Sequence, residues 1–154
     1  MSIEGKVALV TGASRGIGQA IAHALAAKGA VVIGTATSDS GAAAIAEKLS
    51  AAGYSGTGMK LDVRDPESIN SVIERIAKEF GAPAILVNNA GITSDNLLMR
   101  MKDEEWDDVV GTNLGSVYRL SKAVLRGMTK ARWGRIINIS SVVAGMGNAG
   151  QSNY

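Results

Sequence analysis

A glycine-rich segment between a short apolar run and an amphipathic run constrains the fold of this chain most strongly. Residues 7–11 form the apolar run, and the segment Thr11-Gly12-Ala13-Ser14-Arg15-Gly16-Ile17-Gly18 follows directly. Between a strand and a helix, such glycines allow a tight turn and let the backbone approach an anion at the positive helix N-terminus. A glycine-rich turn without a ligand is the alternative, but the strand–loop–helix setting favours nucleotide binding.

Five β-rich runs alternate with segments of helical period along the chain. We predict strands at residues 7–11, 30–35, 58–63, 84–88 and 135–140 and helices at residues 16–28, 41–52, 66–80, 103–110 and 113–130. Asp65 and Pro66 supply an N-cap and a first-turn proline to the third helix. The first helix would present an apolar face of Ile17, Ile21, Ala24 and Leu25.

This alternation predicts an α/β fold with a Rossmann-like, doubly wound parallel sheet, helices on both faces and no further strand after the fifth. Five strands also suffice for a sheet of the flavodoxin-like type. We expect residues 1–154 to form one domain, because compact domains commonly have this length. Ligands of such sheets bind at the carboxyl ends of the strands, so functional residues are expected just after each strand.

Composition narrows the classes of function. Sixteen Lys and Arg residues face fourteen Asp and Glu residues, a balance too even to predict a nucleic-acid or membrane partner. The chain has no cysteine, which excludes disulfides and agrees with a reducing compartment. The first residues lead into the first strand without a signal-peptide pattern, and the carboxylates are too scattered for a metal site. These features predict a cytoplasmic protein that contains no metal.

The glycine spacing and several later motifs resemble the short-chain dehydrogenase/reductase family. The spacing is T-G-x-x-x-G-x-G rather than the common G-x-G-x-x-G, and no Lys-Ser or Lys-Thr follows to make a P-loop. The family's N-N-A-G motif is present as Asn88-Asn89-Ala90-Gly91 after the fourth strand, and Ser141 and Tyr154 stand thirteen residues apart, as its Ser and Tyr do. Asp62 would end the third strand, where the family contacts adenine, and Asn113 falls at the position of its active-site Asn.

The resemblance covers the whole chain and implies a bound nicotinamide dinucleotide. The implied cofactor-binding residues are Gly12, Ala13, Ser14, Arg15, Gly16, Ile17, Gly18, Thr37, Asp62, Val63, Asn89, Ala90, Gly91 and Tyr154. An acidic residue at the end of the second strand would bind the ribose diol and repel a 2′-phosphate, but the first carboxylate comes only at Asp39. Arg15 is either a phosphate partner or a solvated charge. The segment therefore favours NADP (NADPH) over NAD.

Carbonyl reduction needs an acid and a hydrogen-bond donor beside the nicotinamide. Tyr154 fits the proton donor, Ser141 fits the donor that holds the substrate oxygen, and the resemblance makes Asn113 the anchor of a water. Taken singly, Tyr154 is an ordinary interfacial tyrosine and Ser141 or Ser140 a strand-end cap. Their joint placement after the fifth strand favours the catalytic interpretation.

Residues 95–106 resemble the corresponding segment of 3-oxoacyl-acyl-carrier-protein reductases. This resemblance implies NADPH-dependent reduction of 3-oxoacyl groups on acyl carrier protein in fatty-acid biosynthesis. It also implies a homo-oligomer, namely a homotetramer. Lys122, Arg126 and Lys130 recur at i+4, with Arg132 and Arg135 just beyond, and form either a docking face for an acidic carrier protein or a solvated helix face. A reductase of other ketones and a silent dinucleotide-binding module remain alternatives.

One element of the family pattern lies beyond the sequence. The family motif is Y-x-x-x-K, in which a lysine one helical turn after the tyrosine holds the ribose hydroxyls, whereas this sequence reads only to Tyr154. We therefore expect an incomplete short-chain reductase domain, whose activity is impaired in the 154-residue form.

Overall fold

Five parallel strands form one sheet in the computed structural model, which describes residues 2–154. The strands are β1 (Val7–Val10), β2 (Val31–Ala36), β3 (Gly56–Lys60), β4 (Ile85–Asn88) and β5 (Arg135–Asn138). Their order in the sheet is β3-β2-β1-β4-β5. This is the order of the Rossmann fold and not the flavodoxin-like order, in which the second strand would lie at the edge. The winding direction reverses between β1 and β4, which places the ligand crevice of the fold there.

Helices connect the strands. They are α1 (Gly16–Ala26), α2 (Asp39–Ala51), α3 (Pro66–Glu79), α4 (Asp103–Asn113), α5 (Gly115–Ala131) and α6 (Val143–Met146), with a 3₁₀ turn at Leu98–Arg100. The predicted cap of α3 is confirmed, since the Asp65 carboxylate accepts a hydrogen bond from the Glu67 N–H at 2.9 Å. Helix α2 begins two residues earlier than predicted because the Ser38 hydroxyl caps it, accepting from the Gly41 N–H at 3.1 Å.

Two apolar layers cover the faces of the sheet. Alternate residues of β1 point to opposite faces, so that Leu9 packs in the layer with α3 and α5, while Ala8 and Val10 pack in the layer with α1 and α2. All three are 0% exposed, as expected of a parallel strand covered on both faces. Strand β5 differs, because all four of its residues are exposed.

The predicted apolar face of α1 was partly wrong. Gly18, Ala22 and Ala26 form the buried line of this helix. Ile17 is 64% exposed. Small residues are needed on the buried line because a Cβ on Gly18 would collide with the carbonyl oxygen of Gly12. The helix therefore lies close to the sheet through its smallest side chains, and Ile17 is left facing outward near the glycine loop.

Two observed element boundaries differ from the predicted ones and change the position of predicted site residues. Strand β3 ends at Lys60, so Asp62 lies in the turn after the strand and not at the strand end. In this turn the Asp62 carboxylate accepts a hydrogen bond from the Arg64 N–H at 2.9 Å. Asn113 is the last residue of α4 and not the first of α5. The helical path breaks at Leu114, and α5 starts at the following glycine. In both cases a turn that periodicity does not show separates the site residue from its predicted element.

Candidate functional site

The end of β1 is joined to the end of β4 by hydrogen bonds of Thr11 and Asn89. The Thr11 hydroxyl accepts from the backbone N–H groups of Asn89 and Ala90, both at 3.0 Å. In return, the Asn89 amide donates to the carbonyl oxygens of Thr11 at 3.0 Å and Gly12 at 3.1 Å. Thr11 is only 1% exposed. The glycine loop and the Asn-Asn-Ala-Gly segment therefore form one joined structure at the switch point of the sheet.

Gly12 and Gly16 of the loop are required for different physical reasons. Gly12 has a φ of +64°, and a Cβ there would lie 3.0 Å from the Cα of Ala90. Gly16 has a φ of +57° with no atom within 4 Å of the Cβ position, so conformation rather than packing requires a glycine. The backbone of the loop is thus close to the protein on one side and open on the other, at the N-terminus of α1. This cradle fits the pyrophosphate of a dinucleotide.

A cavity of about 750 Å³ extends from this loop across the carboxyl ends of β4 and β5. It is lined by Arg15, Ile17, Asn88, Asn89, Ala90, Gly91, Ile92, Thr93, Asn113, Leu114, Val117, Asn138, Ile139, Ser140, Ser141, Ala144 and Tyr154. The three predicted catalytic residues therefore line the same cavity as the predicted cofactor residues Asn89, Ala90 and Gly91. Its volume lies within the range of small-molecule sites, roughly 300–1,000 Å³.

Asn113 uses its side chain to hold the segment that follows Gly91. Its Oδ1 accepts from the Ile92 N–H at 2.8 Å, and its Nδ2 donates to the Ile92 carbonyl oxygen at 2.9 Å. Anchoring of a water by Asn113 stays a prediction. Ile92 could not be predicted from the sequence, because a residue engaged through its backbone leaves no side-chain signal.

Ser141 and Tyr154 both reach the cavity. The Ser141 hydroxyl accepts from the Val143 N–H at 3.4 Å, a long bond just before α6 that resembles the capping alternative for this residue. Tyr154 is 44% exposed, and its backbone N–H donates to the carbonyl oxygen of Gln151 at 3.2 Å. Both residues line the cavity, and their catalytic roles stay predictions.

The residues predicted to hold the adenosine half lie outside this cavity. Thr37 is exposed directly after β2, and Val63 is buried in the turn after β3. The same turn contains Arg64, whose guanidinium contacts Asp108 of α4 at 2.6 Å. The structure therefore separates the predicted site into a chemical end around Ser141 and an adenosine end at the tips of β2 and β3.

The segment that carries Tyr154 is anchored to the loop before α4. Asn153 is 8% exposed, and its Nδ2 donates to the carbonyl oxygens of Ser94 at 3.0 Å and Glu105 at 3.1 Å. Beside it, the Asn96 N–H donates to the Gly150 carbonyl oxygen at 2.8 Å. These partners lie more than forty residues apart in sequence. No pattern in the sequence indicated this anchoring.

Glu105 supports this anchoring from the start of α4. Its carboxylate accepts from the Lys102 N–H at 2.8 Å and from the Asn96 amide at 3.1 Å. The backbone N–H of Lys102, followed by the amide of Asn96, lowers the pKa of Glu105 below its ordinary value of 4.5. The ionised form of Glu105 is therefore the one that connects the loop, the helix start and the Tyr154 segment.

Within residues 2–154, three or more His, Asp or Glu side chains do not come together in a group that could hold a metal ion. Over the same residues, every helix is too short or too polar to span a membrane.

The chain is similar to one protein-family model and to bacterial proteins along its whole length. The model of the short chain dehydrogenase family matches residues 6–154. The chain is 71% identical over 154 residues to the 3-oxoacyl-acyl-carrier-protein reductase FabG of Pseudomonas aeruginosa. It is 67% identical over 154 residues to the protein of that name from Escherichia coli. In both comparisons all of this chain is aligned, and it spans 62% of the relative's length.

Glu105→Gln keeps the size of the side chain but removes its charge. Because folding lowers the pKa of Glu105, its stabilising contribution is complete above the ordinary value of 4.5 and is lost as the pH falls through the lower folded-state value. We expect the difference in Tm between the wild type and this variant to be largest near neutral pH and to shrink as the pH falls below 4.5. Thermal unfolding followed by circular dichroism across this range measures it.

The matched control is Glu104→Gln, which changes an exposed carboxylate in the same helical turn. We expect this variant to show no comparable trend with pH. A Tm difference for Glu105→Gln that stays constant from neutral to acidic pH would contradict the assigned role of the carboxylate.

Proposed function

This chain belongs to the short-chain dehydrogenase family, and from that premise we propose that it reduces 3-oxoacyl-acyl-carrier-protein to the 3-hydroxyacyl form with NADPH, in fatty-acid biosynthesis. One observation carries the proposal: a single cavity gathers Asn113, Ser141 and Tyr154 with the Asn89–Gly91 segment and Arg15 of the glycine loop. The names of the relatives supply the substrate class. The chain spans 62% of their length, so the activity is proposed for the protein that contains it.

In this proposal the bound dinucleotide supplies the hydride, and residues of the chain manage the substrate oxygen. Ser141 donates a hydrogen bond to the carbonyl oxygen and orients the carbonyl group. Tyr154 donates its phenolic proton to the same oxygen as negative charge grows there. Asn113 keeps the Ile92 segment in place along the cavity wall through its two bonds to that residue's backbone.

The residues at the ends of the strands divide the binding of NADPH among them. The open backbone of the glycine loop and the N-terminus of α1 receive the pyrophosphate. Arg15 and Thr37 receive the 2′-phosphate, while Asp62 and Val63 contact the adenine. Asn89, Ala90, Gly91 and Tyr154 hold the nicotinamide half. The exposed position of Arg15, at the N-cap of α1, supports its assignment because a guanidinium there is free to approach a phosphate.

We propose acyl carrier protein as the macromolecular partner, docked on the basic end of α5. Arg126, Lys130 and Arg132 are all exposed there. Arg132 ends the helix in the left-handed conformation, with a φ of 51°. Lys122 belongs to the same row, but its ammonium lies over the ring of Tyr118, 5.6 Å from the centroid. The docking surface therefore consists of Arg126, Lys130 and Arg132.

We also propose that the protein containing this chain is a homo-oligomer. Several large apolar side chains on α4, α5 and their junction are exposed, namely Trp106 at 45%, Leu114 at 67%, Tyr118 at 65% and Leu125 at 54%. Exposed apolar groups clustered on adjoining helices are typical of interfaces between subunits.

Arg15→Ala tests the form of the cofactor. A charge-assisted bond to phosphate contributes about 1.5–3 kcal/mol, so the variant should bind NADPH about ten- to a hundredfold more weakly and bind NADH almost unchanged. Fluorescence titration of the chain with each cofactor measures this. Arg75→Ala is the control, since Arg75 pairs with Glu79 on α3 at 2.9 Å. Equal affinity of the wild type for both cofactors, or equal weakening of both by Arg15→Ala, would reject the assignment.

Tyr154→Phe tests the proposed chemistry. Removing a positioned proton donor should lower turnover by at least about 10²-fold, the low end for general acid catalysis. Oxidation of NADPH with acetoacetyl thioester is measured in a version extended to the length of the relatives, beside the 154-residue chain. Tyr118→Phe serves as control. If the extended version reduced only other ketones, the proposed substrate would be wrong. If it bound NADPH but reduced no ketone, the chain would be a dinucleotide-binding module and not an enzyme.

Replacing Arg126, Lys130 and Arg132 by Ala tests the docking surface. In the extended version the apparent KM for carrier-bound substrate should rise, and the KM for small thioesters should stay nearly the same. The loss should diminish as ionic strength increases, because charges at the rim of an interface act mainly on association. Lys122→Ala is the matched control on the same helix. An equal loss for both substrates would show damage to the fold instead of lost docking.

A further inference from the structure

The adenosine end of the site contains a carboxylate that the proposed preference for NADPH must accommodate. Asp39 is the first residue of α2 and the first carboxylate after β2. In this fold an acidic residue near the end of the second strand binds the ribose 2′-hydroxyl of NAD and repels the 2′-phosphate of NADP. Sequence position alone leaves the effect of Asp39 undecided, because it comes three residues after the end of the strand.

The structure brings Asp39 into the same region as the glycine loop. The Ala13 N–H donates to the carbonyl oxygen of Thr35 near the end of β2, at 2.9 Å. A Cβ added to Gly41, in the first turn of α2, would lie 4.0 Å from the Cβ of Ser14. The start of α2, the end of β2 and the glycine loop therefore adjoin one another. A 2′-phosphate bound at the end of β2 would lie near the first turn that carries Asp39.

A lysine from the neighbouring strand pairs with this carboxylate. Lys60 is the last residue of β3 and is the register partner of Ala36, the last residue of β2. Its Nζ lies 3.0 Å from Oδ2 of Asp39, and the two side chains are 56% and 86% exposed. Exposed ion pairs contribute little to folding stability. The main effect of this pair is therefore expected on the electrostatic potential at the adenosine end, and not on folding stability.

Resting on the proposed function, we propose that Lys60 is a specificity-determining residue for the 2′-phosphate of NADPH. By pairing with Asp39 it cancels a charge that would repel the phosphate. This role is separate from that of Arg15, because Lys60 acts through the carboxylate of α2 and lies on the other side of β2 from β1 and the glycine loop.

A double-mutant cycle with Lys60→Met and Asp39→Asn tests the pairing. Fluorescence titrations with NADPH and NADH are made on the wild type, both single variants and the double variant of this chain. Lys60→Met should weaken NADPH binding by about two- to fivefold, the upper part of the range of exposed charge interactions, and leave NADH binding nearly unchanged. In the Asp39→Asn background the same lysine change should cost clearly less, because the repulsive carboxylate is gone.

The control is Lys78→Met, which removes an exposed lysine from the last turn of α3 and should change neither affinity. The effect of Lys60→Met should also diminish as salt rises from about 0.05 to about 0.5 M, since the Debye length shortens. Circular dichroism verifies that each variant is folded.

Two results would overturn the inference. One is equal weakening of NADPH and NADH by Lys60→Met, which would assign Lys60 a structural role. The other is the same loss of NADPH affinity with and without Asp39, which would show that the lysine does not act through the carboxylate. Failure of the proposed function would be distinguishable from these results. In that case the wild type itself would bind NADPH no more tightly than NADH.

Discussion

The rest of the site depends on the part-buried, hydrogen-bonded joint between Thr11 and Asn89. One hydroxyl satisfies two backbone N–H groups at the end of β4, and one amide satisfies two carbonyl oxygens at the end of β1. A buried polar group left without a partner costs about 1–3 kcal/mol, so loss of either side chain would orphan several groups at once. The joint also requires the close approach that Gly12 allows to Ala90. The glycine loop and the Asn-Asn-Ala-Gly segment are therefore interdependent.

From this joint the crevice extends in two directions, which differ in the kind of side chain that surrounds them. Toward Tyr154, positions are set by neutral side chains that bond to distant backbone, such as Asn113 to Ile92 and Asn153 to Ser94. Such bonds restrain loops at defined positions, as the proposed proton transfer from Tyr154 would require. Toward Thr37, the groups are exposed and charged. Arg15, Asp39 and Lys60 carry charges there, as the proposed discrimination between ligands that differ by a phosphate would require.

The loop between β4 and α4 connects the two directions. It begins at Asn89, is held by Asn113 at Ile92, supports Asn153 at Ser94 and ends at the capping carboxylate of Glu105. Arg64, in the turn near the proposed adenine position, pairs with Asp108 of the helix that follows this loop. Most of these contacts involve backbone atoms on one side. They explain how a segment whose only regular structure is a short 3₁₀ turn can position groups from separate parts of the chain.

The sequence by itself determined the features that depend on neighbours along the chain. The strand–loop–helix unit, the Asp65 cap of α3 and the alternation that predicts a parallel sheet all follow from steric and hydrogen-bonding preferences within a few residues. The resemblance supplied the triad of Asn113, Ser141 and Tyr154. Only the tertiary structure decided the strand order, the close-packed Gly18-Ala22-Ala26 line of α1, the turn that holds Asp62 and the pairing of Lys60 with Asp39. Each depends on contacts between residues brought together by the winding of the sheet, and their energies leave no periodic trace in the sequence because the partners lie in different elements.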